Sequence, residues 1–285
     1  GTALAALKLF SKDGKVRADA IKTLASGSDE SRLPLIEKAW ATETVTELKN
    51  QLEMVRATIL LSSSDKAKRL EAAARLSGSN NPISKTVLIA RLAEEDDAEV
   101  KSALQGSLRK VESALAWGDK LGAIFSGISL GSILLLVALG LAITYGLMGV
   151  INMAHGELMM IGAYATYVVQ GLFQKYLPGL FDWYLLAAVP VAFMASALMG
   201  AALERGVIRF LYGRPLETLL ATWGISLMLQ QLVRSIFGAQ NVGVENPVWM
   251  SGGVQVLGNL SLPYNRLVII GFAIAVLLGM AWLIS

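Results

Sequence analysis

The chain has 285 residues, 54% of them hydrophobic, and a mean hydropathy of +0.54, which is too apolar for an ordinary soluble domain. Its 25 basic and 22 acidic side chains leave a net charge of +3, too small and dispersed to be the basic footprint of a nucleic-acid binder. With no cysteine it has neither disulfides nor a thiolate metal site, a composition compatible with an oxidising compartment.

The charges are uneven. Residues 1–120 hold 36 of the 47, and residues 121–285 hold 11. This predicts two parts, a solvated domain over 1–120 of ordinary domain length and a membrane domain over 121–285. Neither a basic-then-apolar leader at Gly1 nor a polar flank after Ser285 is present, so both ends are expected to continue in the gene product.

Residues 1–120 read as helical throughout. Val16, Ala20, Ile21 and Leu24 share one helical face, and Leu48, Leu52, Val55 and Ile59 share another. Ser-Gly-Ser around Gly27 and Ser-Gly-Ser-Asn-Asn-Pro around Gly78 punctuate the helices. No alternating β-branched run predicts a sheet here. The stretch 17–40 resembles 69–92 at an offset of about 51–52 residues, near the longer helical repeat periods. The expectation is a HEAT-like stack of antiparallel helix pairs offering a docking surface, or else a generic bundle with solvated charges such as Glu94, Glu95, Asp96 and Asp97. No nucleophile–base set, phosphate loop or metal-ligand spacing occurs.

Residues 121–285 contain five apolar runs of spanning length, near 124–149, 154–173, 184–203, 216–237 and 266–285. The fold expected is therefore all-α, a soluble helical-repeat domain followed by a polytopic membrane domain. The short connection 204–215 carries Arg205, Arg209 and Arg214 against Glu204, and short basic loops stay cytoplasmic. The connections 174–184 and 238–266 suit the outer side. Counting back places residues 1–120 outside, which requires a removed signal peptide. Gly127 and Gly131 form a GxxxG pair, and Ala138, Ala142 and Gly146 continue small residues at helical spacing. Such residues let helix backbones approach closely in lipid, though small residues are common in any polytopic helix.

Between Ala138 and Tyr167 the apolar run breaks at Asn152, His155, Gly156 and Glu157. Polar groups that interrupt a membrane segment face a cavity, a partner or a substrate path more often than lipid. Asn152 suits a neutral amide solute or a helix cap. His155, the single histidine, suits solute binding, a proton relay or a backbone carbonyl. Glu157 suits the N-terminus of the second span, where a carboxylate complements the helix dipole. Thr222, Ser226 and Gln230 lie on one face at i, i+4 and i+8, a stripe that fits a wet lumen or interhelical hydrogen bonding. Arg234 is expected to snorkel to the interface. No catalytic constellation stands out, so an enzyme is not expected. No phosphate-binding loop of the GxxxxGK[ST] type occurs, so this chain needs no cofactor of its own.

The run YGLMGVINMAHGELMMIGAY (145–164) resembles the permease subunits of the branched-chain amino acid ABC-transporter family, the LivH-like group. PLETLLATWGISLMLQQLVRSIFG (215–238) is a second match. The leading helical domain together with NPVWMSGGVQVLGNLSLPYNRL (246–267) is similar to the urea-transporter permease subgroup. The resemblance implies an importer in the bacterial inner membrane. Its partners would be a second, LivM-like permease subunit, cytoplasmic ATPases that use the ATP, an extracytoplasmic solute-binding protein and membrane lipid. It implies further helices and an ATPase-contacting loop beyond Ser285. Urea is the solute expected first, since small amide and hydroxyl side chains meet its donors and carbonyl without placing bare charge in the membrane. The alternatives are a branched-chain amino acid permease, a passive channel or secondary transporter, and a membrane-anchored docking protein.

Overall fold

The computed structural model describes residues 2–25 and 29–285. The chain divides into two compact units, residues 1–124 with 255–261 and residues 125–254 with 262–285. The Ser-Gly-Ser stop expected at Gly27 lies outside the described residues.

The first unit is a tandem duplication. One copy comprises α2 (Gly14–Leu24), α3 (Leu33–Thr42) and α4 (Thr46–Leu61), preceded by α1 (Thr2–Lys8). The other comprises α5 (Lys66–Leu76), α6 (Pro82–Glu94) and the beginning of α7 (Ala98–Met148). Each opens on the same cap, in which Asp13 Oδ1 accepts from Lys15 N and Asp65 Oδ1 accepts from Ala67 N, both at 2.9 Å. Such caps satisfy backbone donors that the first helical turn leaves orphaned. Arg17 Nη1 donates to the carbonyls of Ser11 and Lys12, and Arg69 Nη1 repeats this at Ser63 and Ser64. Asp29 and Asn81 likewise cap their equivalent turns, on Ser31 N and Ile83 N.

The two copies also share a half-buried ion pair. Arg17 forks onto Glu43, Nε to Oε2 at 2.8 Å and Nη2 to Oε1 at 3.0 Å. Arg69 Nε lies 3.1 Å from Glu95 Oε2, which also accepts from Arg91 Nη2 at 3.0 Å. Glu95, grouped by sequence with the solvated charges, is thus buried, because the repeat turns it inward onto two guanidiniums. The Arg17 guanidinium holds the Glu43 carboxyl below the usual carboxylate range. Burial alone pushes Glu95 up, but the Asp97 N–H and the Arg91 and Arg69 charges outweigh it and leave it lowered. Apolar positions follow the same register. Leu24, Ile36, Leu52 and Ile59 fill one core, and Leu76, Leu88, Leu104 and Val111 fill the next, each fully buried side chain of this size stabilising by roughly 1.5–3 kcal/mol.

The second unit holds the rest of α7 with α8 (His155–Tyr176), α9 (Tyr184–Gly206), α10 (Pro215–Phe237) and α11 (Tyr264–Ile284). Large apolar side chains face outward here, Phe193 at 72% and Trp282 at 80% exposure among them, as a lipid-facing surface requires. By length and composition three segments can cross a membrane, Ala98–Met148, Pro178–Phe210 and Tyr264–Ile284. Three of the five spans expected from the sequence meet this measure. α8 and α10, with 22 and 23 residues, are long enough, but polar side chains lower their apolarity.

The boundary expected at 120/121 falls inside α7, an uninterrupted helix of 51 residues. Close helix approach occurs at Gly162, where a Cβ would lie 3.0 Å from Ser196 Oγ and where Ser196 Oγ donates to Leu158 O at 3.0 Å. A Cβ at Gly127, Gly131 or Gly146 would meet open space within this chain. The connection 238–266, expected to be a loop, contains a two-stranded hairpin of β1 (Gly253–Leu257) and β2 (Leu260–Pro263). Its sequence signal is the two-residue Gly258-Asn259 link between apolar runs.

Candidate functional site

Between α7 and α8 the chain leaves the helical path at Gly149, whose φ is +65°, a conformation that suits glycine. The irregular residues that follow are held by polar side chains. Asn152 is buried, and its Oδ1 accepts from Ala154 N at 2.9 Å, which shapes the entry to α8. Met153 N donates to Thr222 Oγ1 at 3.1 Å, and Thr222 Oγ1 donates in turn to Thr218 O at 2.7 Å. Backbone that is irregular at membrane depth needs such internal partners.

His155 begins α8. Its Nε2 lies 3.3 Å from Val137 O on α7. A carbonyl can only accept, so this contact selects the form protonated at Nε2. Gly140 makes room for the ring, since a Cβ there would lie 2.9 Å from His155 Cε1. Glu157 sits in the first turn of α8, where a carboxylate complements the helix dipole. Gln230 Nε2 donates to Glu157 Oε1 at 2.7 Å and lies 3.4 Å from Ser226 Oγ. Thr222 and Ser226 are buried together with Thr218.

The structure therefore joins Glu157, Gln230 and Ser226 in one polar seam between α8 and α10 and brings Thr222 to the Met153 N–H beside Asn152, whereas His155 turns to α7. A cleft of about 460 Å³ adjoins the Gln230 end of the seam, lined by Glu157, Met160, Tyr164, Gln230, Arg234 and Asn241 among others. Asn152, His155, Thr222 and Ser226 do not line that cleft. Arg234, assigned by sequence to the interface, does. Arg214 pairs with Glu217 at 3.2 Å, Arg205 sits in the last turn of α9, and Arg209 lies in the short turn Ile208–Phe210.

Four polar groups were missed. Thr218 extends the α10 stripe one turn earlier and was findable by the same spacing. Gln170 is an amide inside an apolar helix, 4% exposed, whose Oε1 accepts from Glu245 N at 2.9 Å, and the rule that singled out Asn152 applies equally to it. Ser196 carries no signal beyond its type. Tyr164 stacks with Phe237 at 4.6 Å between ring centroids, a pairing invisible in sequence.

A bundle with outward-facing apolar side chains and an internal polar seam defines a membrane protein with a polar interior. Residues 123–285 match the family described as branched-chain amino acid transport system / permease component, and the chain belongs to that family. It is similar to the high-affinity branched-chain amino acid transport system permease protein LivH of Escherichia coli K12, 33% identical over 135 residues, 45% of this chain and 43% of the relative. The LivH protein of Salmonella typhimurium is 30% identical over 141 residues, 46% and 44%. The BraD protein of Pseudomonas aeruginosa, a permease of the same description, is 27% identical over 167 residues, 57% and 54%. The chain spans about half the length of the curated relatives it matches. No solved structure matches it.

Proposed function

We propose that this chain forms part of the transmembrane path of an ABC importer for a small polar solute. The observation that carries the reading is the polar contact between α8 and α10: Glu157 accepts from Gln230 beside Ser226, and Thr222 takes the Met153 N–H next to the buried Asn152, within a unit whose exterior is apolar. Buried polar groups in a membrane bundle are costly unless a function retains them. In this reading α8 and α10 also cross the bilayer, and the leading unit, residues 1–120, lies outside the cell membrane. A second permease subunit, cytoplasmic ATPases and a solute-binding protein complete the transporter.

The solute favoured first is a branched-chain amino acid, because the LivH and BraD relatives carry that description. Urea is the second reading. It is favoured by the leading helical unit, which lies ahead of the family match at residue 123, and by the segment 246–267. ATP-driven uptake of leucine and of urea by the full-length assembled transporter separates them. Gln230→Leu, which removes the amide but keeps the volume, is expected to reduce uptake of the true solute about tenfold or more by leaving Glu157 unpaired. Unchanged uptake in that variant, at equal folded yield, overturns the seam as the path.

A further inference from the structure

Residues 238–252 connect α10 to the hairpin, bounded by Gly238 and Gly252 with φ of +89° and +85°. The stretch 238–246 is almost wholly exposed, yet the segment is fastened through its far half. Two buried side chains take both backbone groups of one residue: Gln170 Oε1 on α8 accepts from Glu245 N at 2.9 Å, and the Tyr184 hydroxyl on α9 donates to Glu245 O. Asp182 adds two more bonds, its Oδ1 accepting from Val248 N at 3.0 Å and its carbonyl from Trp249 Nε1 at 2.7 Å. Pro247 and Met250 are buried beneath. The near end of the same segment, Gly238 to Asn241, forms one wall of the cleft that holds Glu157 and Gln230.

We propose that 238–252 is a strap that fixes this wall, and that Gln170 and Tyr184 are positioning residues for the cleft. An amide and a phenol buried in apolar helices are unfavourable unless paired. Here both bond the two backbone groups of one residue, Glu245, in an otherwise exposed segment, which is how a wall on irregular backbone is given a fixed place. The clamp rests on hydrogen bonds alone, whereas its bearing on transport rests on the reading of the cleft as part of the path.

These 285 residues carry no cysteine, so Met250→Cys, in a transporter whose other cysteines are replaced, reports strap release. In the full-length transporter in membrane vesicles, a water-soluble maleimide should alkylate this position slowly. Tyr184→Phe and Gln170→Leu should each accelerate alkylation about five- to tenfold, the loss of one buried hydrogen bond. Gln170→Glu, which keeps an acceptor oxygen, should stay near the parent rate. The two loss variants should also raise KM for uptake several-fold while leaving kcat nearly unchanged. Unchanged alkylation in both variants, or faster alkylation with KM unmoved, overturns the proposal. A parent complex that takes up neither leucine nor urea under ATP would instead overturn the path reading, and the alkylation rates would still decide the clamp.

Discussion

The two units bury opposite things. In the first, leucines and isoleucines such as Leu52, Ile59 and Leu104 are inside and the charged side chains form a network outside, apart from the two repeated Arg–Glu pairs. In the second, leucines, phenylalanine and tryptophan face out, and threonine, serine, asparagine and glutamine sit between helices. The same rule, that buried donors and acceptors need partners, applies to each. What differs is the solvent expected around them. Water makes burial of apolar area the driving force in the first unit. Hydrocarbon offers no such gain, so polar contacts and close packing specify the second.

The largest effect that should sharpen this contrast is at the repeated ion pair. Arg17→Ala leaves the half-buried Glu43 without its guanidinium and should lower the melting temperature of the first unit most. Arg69→Ala should cost less, because Arg91 still reaches Glu95. Thermal unfolding of the two variants checks the order, and equal losses would break the account of the second copy. Next is a test of the outer surfaces. Leu278→Asp on exposed α11 should oppose insertion by about 2.5–3.5 kcal/mol, whereas Ile89→Asp on exposed α6 should change stability by only about 0.5 kcal/mol. Membrane-fraction yield reads the first and thermal shift the second.

Acid should separate the units further. Glu43 and Glu95 are both held below the ordinary glutamate value of 4.5 in the folded chain. A lowered folded pKa gives stability that is present above the unfolded value and lost as pH falls through the folded one. The first unit should therefore weaken below about pH 4.5, while the second, which places few carboxylates, should keep its helicity. Circular dichroism against pH, compared with protease resistance of residues 1–124, checks this. The smallest effect is at the caps. Asp65→Ala should cost about 1 kcal/mol, and Asp13→Ala about the same if the two copies are equivalent.

The helical faces of α2 and α4, the duplication and the apolar runs are legible in sequence because each is a periodic or composition signal carried by neighbouring residues. The interruption at Asn152, His155 and Glu157 is legible because polar groups stand out against an apolar run. The burial of Glu95 is not, since a charged residue in a charged stretch looks solvated until Arg69, more than twenty residues away, is seen to reach it. The pairing of Gln230 with Glu157 and the clamp of Gln170 and Tyr184 on Glu245 are likewise invisible, because spacing along one helix says which face a residue occupies and not what stands opposite.

By itself, then, the sequence determined where helices form, which unit is apolar and where polar groups break the membrane run. These follow from local propensity and hydropathy. Only the tertiary structure decided which of those polar groups meet one another, that α8 and α10 share a seam, and that an exposed connection is tied down over a cleft. Such contacts join residues some sixty to seventy-five positions apart, and hydrogen-bond geometry across that distance exists only once the helices have packed.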